Sequence, residues 1–209
     1  MLTLAVDTSG DWGSIALVEG NRVLEERGLQ AGNGFSHTLF GEIEALLSRQ
    51  KRKLADIDLY AAASGPGSFT GIRVGLAAIK GLAEVAGKPA VGISNLVALA
   101  EFGCSELRAP VIDARRGEVF ASLYGPNSTI IPESVLPFAS FIERVGDRPV
   151  EWITSGFDIG RAATQAPTEL AAAIARIAIR KLKAGENCDP ILLEANYVRR
   201  SDAEIFWKE

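Results

Sequence analysis

Two stretches of the chain, LAVDTSGDWGSIALVEG from Leu4 and PVIDARRGEVFASLYG from Pro110, are built alike. Each has an apolar run that ends in an aspartate, a short polar turn, and a second apolar or alternating run. That pattern describes two strands joined by a tight turn. Its occurrence twice in one chain points to two lobes of related topology.

Around the first unit the periodicity fills in a lobe. RVLEERGL (Arg22 to Leu29) adds a third strand, completing an antiparallel meander. From Ser36 the period changes, with Leu39, Phe40, Ile43, Leu46 and Leu47 at the three and four spacing of one helical face, and Ser36 is the expected N-cap. IDLYAAAS (Ile57 to Ser64) follows as a buried strand, then a helix to about Val85, a strand at KPAVGIS (Lys88 to Ser94) and a helix through Leu99. Strands alternating with helices after a meander predict an α/β fold, a mixed sheet with helices packed on it through right-handed crossovers. Beyond the second unit come the turn formers PNSTIIPE, a helix FASFIERV, a strand at EWITSG, and a helix from Thr168 to about Lys183, capped by Thr168 and closed by Gly185. The lobes are expected at residues 1–103 and 104–209.

Composition narrows the function classes. Of 209 residues 47% are hydrophobic, and 22 basic against 26 acidic side chains leave a net charge of −4 with no long basic run, which excludes an autonomous nucleic-acid binder. MLTLAVDTSG lacks the basic start of a signal peptide and the length of a membrane span, so a cytoplasmic protein is expected. Cys104 and Cys188, with no second cysteine near either, are expected to be reduced, buried thiols.

The glycine-rich stretch SGPGSFTGIRVGLAAIKG (Ser64 to Gly81) is not a Walker loop, since Thr70 and Ile72 stand where its second glycine belongs and the nearest lysine is Lys80. It also fails the dinucleotide pattern at Thr70. An anion nest at a helix N-terminus survives, as does a tight strand-to-helix turn with Gly67 at positive φ, Ser68 as cap and Phe69 packing back. Neither explains Gly71, Gly75 and Gly81, each costing about 1 kcal/mol against alanine inside a helix. Gly71, Gly75, Ala78 and Leu82 share one side, shaped for a close neighbour, either the Ser36 helix or a helix of another subunit.

Catalytic equipment is sparse. The one histidine, His37, has Gly41 four residues on, so a helical two-histidine metal site is impossible, and neither cysteine sits in a nucleophile motif. DTSGDWGS has the makings of the phosphate loop of an actin-like ATPase, with Asp7 to orient a metal-bound water and Thr8, Ser9 and Gly10 as donors. The matching second loop, DARRGE, carries Arg115 and Arg116 where close backbone approach calls for glycine. SGFDIG (Ser155 to Gly160) fits an adenosine loop or a plain turn. A stand-alone actin-like ATPase or small-molecule kinase is therefore an alternative with an incomplete kit.

LAVDTS, GPGSFTGIRVGLAAIKGLA, GISNLVALA, DARRGEVFASLY and YVRRSDAE, in this order from Leu4 to Glu204, together resemble the bacterial TsaB (YeaZ) family of tRNA threonylcarbamoyladenosine biosynthesis. The resemblance implies two actin-like (ribonuclease H-like, ASKHA) lobes, with a C-terminal segment packing back between them. It also implies a non-catalytic role beside the paralogue TsaD, which carries the metal-binding histidines and the transferase site. TsaE joins as an ATPase, a homodimer forms in isolation, ATP, ADP and metal belong to the partner subunits, tRNA is met only through the complex, and no membrane is involved. Its first two helices would pack against those of TsaD or of a second copy. Leu39, Phe40, Ile43, Leu47, Gly71, Arg73, Val74, Gly75, Ala78 and Leu82 are then the expected partner-binding residues. Asp7, Thr8, Ser9, Arg115, Arg116, Arg199 and Arg200 are candidates for a nucleotide- or tRNA-facing surface.

Overall fold

The computed structural model describes residues 1–32 and 34–199; Arg200 and the rest of the YVRRSDAE motif lie outside the described residues. The chain divides into two compact units, residues 1–95 with 168–196, and residues 96–167 with the described residues 197–199. In the first, β1 (Leu2–Asp7), β2 (Trp12–Glu19) and β3 (Arg22–Gln30) form the expected antiparallel meander. β4 (Leu59–Gly65) lies parallel to β1, and β5 (Ala90–Ser94) parallel to β4, giving the order β3-β2-β1-β4-β5.

Alternation along the strands sorts this sheet into two faces. Leu2, Leu4, Val6, Ile15 and Leu17 join one core cluster with Leu39, Ile43, Leu46 and Leu47 of α1 (Leu39–Arg49) and Ile72, Leu76 and Ile79 of α2 (Phe69–Ala86). Against β1, β2 and β4 on the opposite face lies α5 (Ala171–Lys183). Its thirteen residues include eight buried ones, too apolar a surface for an exposed helix. For that reason residues 168–196 belong with the first unit, where the sequence pattern groups them with 104–209.

The second unit repeats the plan. β6 (Arg108–Asp113), β7 (Glu118–Tyr124) and β8 (Thr129–Pro137) form an antiparallel meander, and β9 (Glu151–Thr154) and β10 (Thr164–Gln165) extend it in parallel, in the order β10-β9-β6-β7-β8. Counted within each unit the two orders are the same, as two ribonuclease H-like lobes require. α3 (Asn95–Ala100) precedes this meander and α4 (Phe138–Val145) follows it, and Phe138 and Phe141 meet Trp152 edge to face in the core.

Several local expectations are corrected. β8 replaces the expected turn region, because Pro132 is tolerated on a strand at the sheet edge. A 3-10 turn (Phe35–His37) precedes α1, whose N-cap is Thr38, without a side-chain cap, rather than Ser36. The start of α5 is capped from a distance instead of by Thr168. Ser14 Oγ accepts from the backbone N–H groups of Leu170 and Ala171, and Glu26 Oε1 from that of Ala172. Cys188 is buried as expected, but Cys104 is exposed.

Candidate functional site

The strand-end loop after Asp7 and the two helices α1 and α2 hold most of the predicted site residues. Ser68 caps α2 as expected, its Oγ accepting from Gly71 N at 3.3 Å. Positive φ falls at Gly65 (+105°) and not at Gly67. Gly67 is needed for a different reason: a Cβ there would overlap the carbonyl oxygen of Ser9, which accepts a hydrogen bond from Ser68 N.

In the loop of Asp7, Thr8 and Ser9, both hydroxyls and the Ser9 N–H donate inside the chain. Thr8 Oγ1 donates to Gly71 O at 2.8 Å, and both the N–H and the hydroxyl of Ser9 donate to Asp7 Oδ1 at 2.9 and 2.6 Å. Asn95 Nδ2 donates to Ser9 Oγ at 2.7 Å and to Asp7 Oδ2 at 3.3 Å, while its Oδ1 accepts from Gly65 N. Burial pushes the Asp7 carboxyl above the usual carboxylate range, against the lowering effect of the Ser9 and Asn95 hydrogen bonds. These are the groups that a phosphate loop would aim at its ligand. Here they join the end of β1 to β4, α2 and Asn95, which removes the support for the kinase alternative.

The same loop accounts for two of the helical glycines. A Cβ on Gly71 would overlap the carbonyl oxygen of Thr8, and one on Gly75 would lie 2.5 Å from Thr8 Oγ1. Gly71 and Gly75 are therefore buried against the chain's own β1 and its following loop, and Ala78 is buried in the core cluster, so none of the three is open to a partner. Leu39, Ile43 and Leu47 are likewise buried in the core. Six of the ten proposed partner-binding residues are thus buried inside the chain, and Val74 and Leu82 are half-buried against the core. The remaining two are exposed: Phe40, at 56%, and Arg73, which stacks on the Phe69 ring at 3.7 Å.

Of the glycines that face outward, sequence reasoning singled out Gly81 without separating it from Gly71 and Gly75, and missed Gly41. Among the described residues, a Cβ built on Gly41 of α1 or Gly81 of α2 meets nothing within 4 Å outside its own helix backbone. Around Gly81 lie exposed Ala77 and Val85, the latter 92% exposed, and around Gly41 lie Phe40, Glu44 and Ser48. Helical spacing from the buried Ile72, Leu76 and Ile79 would have separated Gly81 from Gly71 and Gly75.

In the second unit the DARRGE turn holds Arg115 and Arg116 at φ +62° and +59°, both exposed. Asp113 Oδ1 accepts from Arg115 N, and Arg199 donates to Ala114 O and to Glu118 Oε2 across the base of the turn. Two consecutive non-glycine residues in the left-handed region are costly and uncommon in a tight turn. At the SGFDIG segment Thr154 Oγ1 donates to Phe157 O and Gly160 N to Asp158 Oδ1. Among the described residues no group of three His, Cys, Asp or Glu side chains is placed to hold a metal ion, and no helix is long and apolar enough to cross a membrane.

The family model of TsaD, tRNA N6-adenosine threonylcarbamoyltransferase, matches residues 29–149, which include α1 and α2. The tRNA threonylcarbamoyladenosine biosynthesis protein TsaB of Bacillus subtilis is 31% identical over an alignment that covers 100% of this chain and 99% of that protein. The chain belongs to the TsaB family. The solved structure of YeaZ from Pseudomonas aeruginosa agrees, with a TM-score of 0.77 and 25% identity over 94% of this chain and 99% of that one. An activator of 2-hydroxyisocaproyl-CoA dehydratase from Clostridium difficile, 11% identical over 88% of this chain and 97% of its own, shares the fold at a TM-score of 0.54. Membership of the TsaB family and the two repeated sheets together give the actin-like, ribonuclease H-like architecture expected from the sequence.

Proposed function

We propose that this chain is a partner subunit, without transfer chemistry of its own, in the biosynthesis of threonylcarbamoyladenosine on tRNA. It docks on a TsaD-family subunit through the outward faces of α1 and α2. There it supports threonylcarbamoyl transfer to the adenosine next to the anticodon of tRNAs that read ANN codons. Nucleotide and metal are held by the partner subunits, TsaE joins as the third component, tRNA is met only in the complex, and the free chain pairs with a second copy through the same face.

The observation that carries this reading is the pair of open glycines. Among the described residues, alanine at Gly41 or Gly81 would meet no atom within 4 Å beyond its own helix backbone and would favour the helix by up to about 1 kcal/mol each. Glycine on an exposed helix face is explained when another helix approaches closely there. Phe40 and Val85 supply apolar surface beside them, and the full-length similarity to a TsaB protein supplies the pathway. The internal use of Thr8 and Ser9 donors favours a supporting subunit over a phosphotransferase.

Size-exclusion chromatography with light scattering tests it, using the chain alone, the chain with the TsaD-family protein of the same organism, and a Gly81→Leu variant with that protein. A one-to-one complex for the wild type and none for the folded variant is the expected result. A variant that binds as well as the wild type would overturn the placement of the docking face.

A further inference from the structure

The outer edge of the first sheet is left open over a short length, and the opening is a cavity. Tyr60 N donates to Pro89 O at 3.0 Å, so the next residue, Ala90 of β5, turns its N–H and C=O away from β4, and Ala90 N donates to Cys188 O at 2.8 Å. By the two-residue period of a strand, Gly92 turns its own N–H and C=O the same way. The segment that follows α5 does not stay alongside to meet them. It leaves the edge in a 3-10 turn at Pro190–Leu192 and rejoins the sheet where Asn196 N donates to Ser64 O at 2.7 Å. Between these attachments lies a half-open cavity of about 200 Å³, all of it within the first unit. Glycine at 92 keeps it open, since a Cβ there would lie 3.3 Å from Ser64 Cβ and 3.5 Å from Leu193 Cδ2. Ser64 lines the cavity and is only 7% exposed, yet among the described residues its hydroxyl has no hydrogen-bond partner. A buried hydroxyl left in that state calls for something in the cavity to meet it.

We infer that this cavity is a binding site for a free α-amino acid with a small side chain. Its carboxylate is taken by Ser64 Oγ–H and Gly92 N–H, and its ammonium group turns to the rim. The donors and acceptors of the wall decide the first half. Asn187 Oδ1 already accepts from Asp189 N at 3.1 Å, Asp189 Oδ1 from Ile191 N at 2.9 Å, and Glu186 Oε2 from Lys181 Nζ at 2.6 Å. On the inner wall Ser64 and Gly92 offer two donors with no acceptor in the chain, and a carboxylate accepts both at once. Charge decides the second half. The exposed side chains around the opening are Glu186, Asp189 and Glu194 against the single half-buried Lys181, an excess of negative charge that repels a bare anion and attracts an ammonium group. A zwitterion with the two groups on one carbon suits both walls, and neither half of it does so alone. The volume is that of about six waters in the liquid, and a small amino acid has a similar number of non-hydrogen atoms. Ordered water would satisfy the two donors but would make no use of the acidic rim. The inference stands apart from the docking face, since it uses no residue of α1 or α2.

The experiment is an NMR titration of the full chain with L-alanine, followed at the Gly92 amide, with propionate and ethylamine as separate probes of the two halves and Ser64→Ala in parallel. L-alanine is expected to give a saturable shift of the Gly92 amide at millimolar concentration, and neither half-molecule to do so. Ser64→Ala should bind about tenfold more weakly or worse, since a hydrogen bond to a charged group is lost. Its melting temperature should stay at or above that of the wild type, because the hydroxyl it removes has no partner in the free chain. No saturable shift with L-alanine would leave the cavity to water and overturn the inference. Ethylamine binding as well as L-alanine would remove the role of the inner donors, and propionate doing so would remove that of the acidic rim; in either case the amino acid is the wrong ligand. Binding of L-alanine unchanged by Ser64→Ala would place the site elsewhere.

Discussion

Four glycines in two helices divide into two kinds. Gly71 and Gly75 lie where α2 crosses the end of β1, and a methyl group at either would run into Thr8. Gly41 and Gly81 lie on the far sides of α1 and α2, where a methyl group would meet nothing among the described residues. The same residue, with the same propensity cost, is a requirement of the fold in one pair and has no internal reason in the other. Glycine in a helix marks close approach without saying by what, and only the direction in which the missing Cβ points separates a core contact from a docking face.

Stability measurements break or sharpen that contrast. Gly71→Ala should have the largest effect, because the clash is with a backbone carbonyl and Thr8 is also hydrogen-bonded to Gly71 O. A loss on the order of 3 kcal/mol is expected, seen as a melting temperature lower by roughly 6–12 °C. A melt within 2 °C or so of the wild type would show that Thr8 yields easily. Gly75→Ala should cost about 1–2 kcal/mol, since the nearest atom there is a side-chain hydroxyl that can turn at the expense of its bond to Gly71 O. For Gly81→Ala the sign reverses. The free chain should gain up to about 1 kcal/mol, while its complex with the TsaD-family protein weakens measurably. A variant both less stable and equally well bound would place Gly81 with the inward pair.

Glu151 provides the control, a change in the second unit that touches neither helix. Its carboxylate accepts from the N–H groups of Cys104 and Ser105 at 2.7 Å each and from Thr164 Oγ1 at 2.6 Å, and these bonds, led by that of Thr164, hold its pKa down to about 2. A depressed acid stabilises the fold above its unfolded value, near 4.5, and that contribution is lost as pH falls toward 2. Glu151→Gln should therefore lower stability at pH 7 by about 1 kcal/mol after solvent screening. The difference from the wild type should shrink steadily in melts run from pH 5 down to pH 2, with partner binding at neutral pH unaffected. A deficit that stays constant with pH would show that packing, not charge, is what Glu151 supplies.

Much of the fold was legible. The repeated strand, aspartate, turn and strand unit announced two lobes, and the helical spacing of Leu39, Ile43, Leu46 and Leu47 marked a face that is indeed buried. The strand β8 was hidden by Pro132, whose turn-forming character says nothing of an edge position, and the cap of α5 was hidden because Ser14 is 156 residues away from Leu170. The candidate docking face was legible only as a pair of helices. Apolar periodicity names the residues that leave water, so it put Leu39, Ile43 and Leu47 forward when a docking face is made of what the core leaves over.

The sequence by itself determined the family, the two-lobed α/β plan and the failure of the Walker and dinucleotide glycine patterns, because these depend on local pattern and on residues adjacent in the chain. Only the tertiary structure decided which glycines serve the core, that the hydroxyls of Thr8 and Ser9 and the Ser9 N–H are spent internally, and that Ile191 and Leu192 stand beside α2. Those facts depend on where a side chain points and what crosses it from far along the chain. A hydrogen bond or a steric overlap is settled over a few tenths of an ångström, and that distance is set by the packing of whole elements.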